Sequence, residues 1–344
     1  MKRVTIRDVA KEAGVSVTLV SFVMNAKRDP DGNLDCPVNP ETAKRVLQVA
    51  QRLGYRRNFA AASLRSGRSN TIAVIPNDIS NKFFAGISRC IEDKAHQLGY
   101  TVFFASSDEN AQKLEDVLGA VMAHNVDGLI VAPCAGGDAA INKLVDAKVP
   151  IVLLDRDSDQ IQNVGKVLLD DVEAGCMATE LLVNKGYTNI EMISYTLGIS
   201  SLSERESGYR NAMTKHGLVD NIRIHYTTYG DAASDVEKFI KNSIDRGVDA
   251  FFLPTYSLSA LALSAMKKLG LKTPDDLAIV GFDESDIYSL YETTVTHIVQ
   301  PLKELGEKSV ELLTSMIAGN PSEVIILKPT LCLGGSTERN KKSL

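Results

Sequence analysis

From Thr71 onward the chain repeats one alternation, a short apolar run followed by a longer amphipathic stretch. TIAVIP, TVFFAS, DGLIVAP and PIVLLD are separated by segments of helical period at about 81–98, 110–124 and 138–147. KVLLD, IEMIS, IRIHYTT, DAFFLP and LAIVGFD continue the alternation around helices expected at about 173–185, 204–216, 232–246 and 257–269. Strands that are apolar along their whole length are covered on both faces, and helices placed between them do this in a parallel, doubly wound sheet. The alternation restarts at KVLLD, which predicts two α/β lobes with a cleft between them. Lobe one is expected at about 70–160 and 297–332, and lobe two at about 161–296. THIVQPLKELGEKSVELLTSMIAG adds a strand and a long amphipathic helix, and EVIILKPTLCLGG adds terminal strands.

The first 70 residues have a different texture. In MKRVTIRDVAKEAGVSVTLVSFVMN, Thr5 and Asp8 open a helix as a capping pair, Val9, Ala10 and Ala13 share a face, and Gly14 breaks it. Ser16 caps a second helix with Val20, Val23 and Met24 as its apolar positions. Two short helices around a glycine turn fit a helix-turn-helix or a plain helical hairpin equally well. AKRDPDGNLDCPVNP then reads as a loop, and Asn39-Pro40 starts a third helix that ends at Gly54. RRNFAAASLRSGRSN is too short and alanine-rich to hold a helix alone, so it reads as a linker that orders on binding.

Charge separates the two regions. Residues 1–68 carry 13 Lys and Arg against six Asp and Glu, whereas the remainder carries 25 against 37. A basic head on an acidic body suits a nucleic-acid-binding module joined to a second domain, while a merely solvated basic face is the plainer alternative. No apolar run approaches the length of a membrane span and the N-terminus lacks a signal-peptide core, so a cytoplasmic chain with no membrane partner is expected. Cys36, Cys90, Cys134, Cys176 and Cys332 are odd in number and far apart, and the five histidines are scattered singly. Reduced thiols and no metal site follow. Phosphate-loop, dinucleotide, nucleophile-elbow and zinc-protease motifs are missing from the sequence, which favours a binding protein without a cofactor over an enzyme.

These pieces resemble the lactose-repressor family of bacterial transcription regulators over nearly the whole chain. VTIRDVAKEAGVSVTLVSFVMN is similar to that family's VTIxDVAxxAGVSxxTVSRVLN opening, and NFAAASLRSGRSNTIAVI to its hinge. DISNKFF, VDGLIV, RESGYRNAM, DLAIVGFDE and IVQPLKELGEKSVELL follow in the expected order. The resemblance implies a DNA-binding domain at 1–57, a hinge at 58–69 and an effector-binding, dimerising core at 70–344. The core would have two lobes like those of periplasmic sugar-binding proteins. The implied partners are operator DNA, a sugar-like effector and a second copy of the chain, with a tetramer as the alternative to a dimer.

By the same resemblance, Thr5, Ser16, Val17, Thr18, Ser21, Phe22 and Asn25 map to DNA-facing positions, with the second helix in the major groove. The family's Thr-Val-Ser-Arg reads Leu19-Val20-Ser21-Phe22 here, so an arginine able to pair with guanine is replaced by an apolar ring. Either Phe22 alters the half-site that is read, or it packs inside the head. Leu64 matches the residue that wedges into the minor groove, with Asn58 and Ala61 beside it as hinge residues. The loop after Asn25 exceeds the family norm by roughly eight residues; it either touches the DNA backbone through Lys27 and Arg28 or, as the favoured reading, is a tolerated surface insertion. In the cleft, Phe83 and Phe84 match aromatic effector contacts, Asp155 and Asp283 match carboxylates, and Arg205 matches an anchoring arginine. Aromatic faces with acidic and basic groups suit a polyol. Asp155 and Asp283 also have the composition of a glycosidase pair, for which the chain offers no other catalytic context. Thr255-Tyr256 stands where the family often has Asn-Asp, which leaves the sugar unidentified.

Overall fold

The computed structural model describes residues 4–28, 34–55 and 67–339. Chain contacts divide the molecule into two units, 1–69 and 70–344.

In the first unit, α1 (Ile6–Ala13), α2 (Val17–Asn25) and α3 (Pro40–Arg52) bury Val9, Val20, Val23, Val46 and Val49 in a core of their own. Their ends are local chemistry. The Asp8 carboxylate accepts hydrogen bonds from the Thr5 backbone N–H and hydroxyl, both at 2.8 Å. Ser16 Oγ accepts from the Leu19 N–H at 3.2 Å and Asn39 Oδ1 from the Glu41 N–H at 2.9 Å. The segment after α2, expected as a plain loop, contains an antiparallel ladder between β1 (Lys27–Arg28) and β2 (Leu34–Asp35). Leu34, Cys36 and Val38 pack against the helical core, which holds this part of the segment in place although its composition reads as turn.

The second unit holds two six-stranded sheets. In lobe one the strands are β3 (Thr71–Ile75), β4 (Thr101–Phe104), β5 (Gly128–Val131), β6 (Ile151–Leu154), β7 (Gly165–Leu169) and β13 (Val324–Leu327), in the order β13-β7-β6-β5-β3-β4 and parallel throughout. Ile72 and Val74 face one way, onto α4 (Lys82–Gln97) and α11 (Leu302–Ile317). Ala73 and Ile75 face the other way, onto α5 (Ala111–Ala123) and α6 (Asp138–Asp146).

Lobe two repeats the plan with β8 (Ile190–Tyr195), β9 (Arg223–Thr227), β10 (Ala250–Phe252), β11 (Ala278–Phe282), β12 (Thr296–Val299) and β14 (Thr330–Cys332). Their order is β14-β12-β11-β10-β8-β9, and only the β12–β14 pairing is antiparallel among them. Helices α7 (Asp171–Asn184) and α8 (Ser200–Lys215) cover one face, and α9 (Ala232–Asp245) and α10 (Tyr256–Leu269) the other.

The lobe boundaries differ from those expected at 160/161 and 296/297. KVLLD does not begin lobe two; it forms β7, paired between β6 and β13 in lobe one. The chain crosses after Leu169, returns after Val299, and crosses again between Leu327 and Thr330. Strand β12 therefore belongs to lobe two, not lobe one, and so does β14. An apolar run announces a strand but not the sheet that accepts it. Helix α8 also starts earlier than the expected 204, with Ser201 and Leu202 buried in its first turn.

Two glycines bring α7 and α8 together. A Cβ on Gly175 would lie 2.2 Å from the Arg205 carbonyl oxygen, and one on Gly208 would lie 2.2 Å from that of Val172. No larger residue permits this approach, and it sets Asp171 of α7 against Arg205 of α8.

Candidate functional site

Each unit presents its own candidate site. In the head, α2 turns Val20 and Val23 inward, which leaves Val17 39% and Phe22 50% exposed, with Thr18 also exposed and Ser21 half-buried. Asn25 Nδ2 donates to Ser21 Oγ at 3.1 Å, and Ser16 is engaged as the helix cap. Of the two alternatives for Phe22, packing inside the head is not what the fold does. Thr5 is exposed at the start of α1, tied to Asp8. Asn58, Ala61 and Leu64 lie outside the described residues.

In the core, Phe83, Phe84, Asp155, Arg205 and Asp283 line one cleft of about 470 Å³, solvent at its mouth included. The cleft lies beyond the carboxyl ends of the strands of both sheets, where a doubly wound fold places its ligands. Asn81 caps α4 by accepting from the Phe83 N–H at 3.0 Å, and the Phe83 and Phe84 rings meet edge to face with centroids 5.0 Å apart. Both rings are nearly buried, so they close lobe one's core as well as lining the cleft.

Asp155 directly follows β6 and Asp283 directly follows β11, each in the left-handed backbone region, at φ 69° and 65°. Aspartate is one of the few side-chain-bearing residues that visits this region routinely, and here it turns a carboxylate off a strand end into the cleft. Asp283 accepts from Gln300 Nε2 at 2.8 Å and from the Tyr256 N–H at 3.3 Å. Asp155 has Arg156 Nε at 3.5 Å. Burial pushes both carboxyls above the usual aspartate range, against the pull of neighbouring arginines.

Arg205 donates from Nε to Asp171 at 2.7 Å and from Nη1 to the Pro254 carbonyl at 2.7 Å, and its guanidinium carbon sits 3.8 Å from the Phe282 ring centre. Burial drives Asp171 up to about 7 in spite of this pairing. Arg156 is held by Glu109 through two bonds, Nη1–Oε2 at 2.9 Å and Nη2–Oε1 at 2.8 Å.

Several of these residues were not legible as site residues. Arg156 follows Asp155 in sequence, Gln300 lies where the chain returns to lobe one, and Tyr195 and Tyr229 stack at 4.6 Å along one wall. The residues just past the strand ends were the available signal. Thr255, at the departure from the family pattern, caps α10 by accepting from the Leu258 N–H at 3.2 Å, while Tyr256 supplies its backbone to Asp283. Two contacts tie the lobes at this mouth. Lys82 Nζ meets Asp286 at 2.8 Å, and the Asp157 N–H donates to Ser200 Oγ at 2.8 Å.

Among the described residues no group of histidine, cysteine or acidic side chains could hold a metal ion, and no helix is long and apolar enough to cross a membrane. His225 is engaged with Glu191 at 2.7 Å, and His297 with the Val295 carbonyl at 2.9 Å.

Comparison with known proteins gives the same division. Residues 5–58 match the family of bacterial regulatory proteins of the lacI type, and residues 72–321 match a periplasmic binding protein domain. Catabolite control protein A of Priestia megaterium is 33% identical over 90% of this chain and 92% of its own. The ribose operon repressor of Halalkalibacterium halodurans is 31% identical over 92% and 91%. The crystal structure of the lac repressor dimer bound to operator and the anti-inducer ONPF shares the fold, with a TM-score of 0.82 at 23% identity over 98% of this chain and 99% of that one. A small helical head and a two-lobed core, each matched in its own place, show that this chain belongs to the lactose-repressor family of DNA-binding transcriptional regulators.

Proposed function

We propose that this regulator is a repressor that binds a pseudo-palindromic operator as a homodimer and responds to a small polyol held between its lobes. The observation that carries this reading is the cleft, where Asp155 and Phe83 of lobe one face Asp283 and Arg205 of lobe two across one space. Rings offer faces for C–H surface and the charged groups offer partners for hydroxyls. The ribose operon repressor among its relatives supports both the repressor role and a sugar-related ligand. The lac repressor's operator-bound dimer supports the assembly. An effector alters DNA binding only through unequal affinity for two arrangements of the lobes. The Lys82–Asp286 and Asp157–Ser200 contacts are the ones a change of lobe angle would break.

In the head, α2 reads the major groove with Val17, Thr18, Ser21 and Phe22, and Thr5, Ser16 and Asn25 stand at the ends of the two helices. Leu64, with Asn58 and Ala61, is proposed from its sequence position as the hinge wedge. The test is a gel-shift titration on upstream DNA at several salt concentrations, with and without sugars. Steep salt dependence and an effector-dependent shift in affinity are expected. Salt-independent binding, or no binding, overturns the DNA reading. Selection from random DNA with the Phe22→Arg variant should return a different half-site from the wild type, and an identical consensus removes Phe22 from base reading.

A further inference from the structure

The helix assigned to the major groove carries no charge. α2 contains no Lys, Arg, Asp or Glu, and its flanking residues Ser16 and Ala26 are uncharged as well. Its exposed side chains, Val17, Thr18, Phe22 and Asn25, offer DNA apolar surface, one hydroxyl and one amide. Contacts of that kind discriminate between bases, through thymine methyls above all, but they release no counterions. The electrostatic share of binding therefore falls to other elements of the head.

Cations bracket α2 in the chain. On α1, Arg7 and Lys11 stand four positions apart, which places them on one face of the helix, and both are exposed. The acids of α1 are engaged elsewhere. Asp8 accepts from the Thr5 N–H and hydroxyl, and Glu12 accepts from Arg52 of α3. Among the described residues no ion pair engages Arg7 or Lys11. Beyond α2, Lys27 and Arg28 form β1, one residue after the helix ends. This strand pairs with β2, whose Leu34 packs on the helical core, and so it is held beside the end of α2. Lys27 stands opposite Asp35 and Arg28 opposite Leu34, and one acid compensates at most one of the two cations. On α3, by contrast, the exposed Lys44 and Arg45 follow Glu41 by three and four positions, where an acid on the same face offsets them.

In a helix-turn-helix the first helix crosses the phosphate backbone while the second enters the groove. Resting on the DNA reading above, we propose that this head separates the two tasks: α2 reads bases, and Arg7, Lys11, Lys27 and Arg28 hold the phosphates on either side of it. The insertion after α2 thus supplies a backbone contact at its base. Phosphate contacts set register and affinity without regard to sequence.

The test uses the full-length protein in gel-shift titrations over a series of potassium chloride concentrations. Two duplexes are compared, the consensus returned by selection from random DNA and an unrelated sequence. Arg7→Ala/Lys11→Ala and Lys27→Ala/Arg28→Ala should each weaken binding to both duplexes by a similar factor, at least about tenfold. Each should also flatten the slope of log affinity against log salt by about two per head. The selected consensus should not change. Lys44→Ala/Arg45→Ala removes the same charge from α3 and should leave the slope as it was, and Arg7→Lys/Lys11→Arg should keep it too. A fall in affinity at unchanged slope marks a damaged head and overturns the phosphate role of that pair. An equal effect from the α3 pair, or a changed consensus from a bracketing pair, overturns the separation of tasks and leaves the DNA reading standing. No binding by the wild type at any salt concentration overturns the DNA reading, and the proposal with it.

Discussion

Asp155 and Asp283 occupy the same place in two sheets of like order, each after the third strand counted from the sheet edge that the chain completes last. Both take the left-handed backbone and both face the cleft. Their surroundings differ. Lobe two supplies Asp283 with Gln300 and the Tyr256 N–H, and it sets Arg205 between Asp171, the Pro254 carbonyl and the Phe282 ring. Lobe one gives Asp155 a single cation at 3.5 Å. Duplicated topology thus yields one aspartate held by hydrogen bonds from its own lobe and one that has only an arginine at 3.5 Å.

The largest effects should come from disturbing the close helix approach on which lobe two depends. Gly175→Ala drives a methyl group into the Arg205 carbonyl and should lower the unfolding free energy of the core by on the order of 3 kcal/mol in urea denaturation, with loss of the ligand response. Gly119→Ala, on the exposed face of α5 in lobe one, meets nothing within 4 Å and should be neutral or stabilise by up to about 1 kcal/mol. Equal costs would mean that the glycines do not distinguish the lobes.

Next come the aspartates themselves, measured without ligand. Asp283→Asn sets an amide donor against Gln300 or the Tyr256 N–H and should cost about 1–2 kcal/mol. Asp155→Asn removes a buried charge that has no hydrogen-bond donor and should leave stability unchanged or raised. If the order is reversed, lobe one is the preorganised half.

A pH series sharpens the same contrast. Asp171 holds its proton more tightly in the folded chain, up to about 7, than in the unfolded one, because burial outweighs Arg205. Such an acid stabilises the fold most below its unfolded value and loses that contribution as the pH rises through its folded value. The core should therefore weaken from about pH 4 to about pH 7 on this account. Asp171→Asn should flatten that slope, and denaturation midpoints at intervals across the range will show whether it does. The smallest effect is expected at the exposed tie between lobes, where Asp286→Ala should cost less than about 0.5 kcal/mol.

The aspartates, Arg205 and the phenylalanines were legible because they sit in short local motifs: PIVLLD, VGFDE, RESGYR and DISNKFF. Glu109, Asp171 and Gln300 were not legible. Each acts through a residue distant in the chain: Arg156 and Glu109 stand 47 positions apart and Arg205 and Asp171 stand 34 apart. Phe22 lay between these cases. The sequence placed it on α2, but only the packing of Val20 and Val23 showed that its ring points outward.

By itself, the order of residues determined the alternation of strands and helices, the caps at Thr5, Ser16 and Asn39, and the division between basic head and acidic core, because these depend on neighbours within a few residues. The tertiary structure decided which sheet receives each strand, so that KVLLD joined lobe one and Thr296–Val299 joined lobe two. It also decided which buried charges cancel. Strand membership and charge compensation are settled by pairing between distant segments, and an apolar run or a lone aspartate carries no record of the partner it will meet.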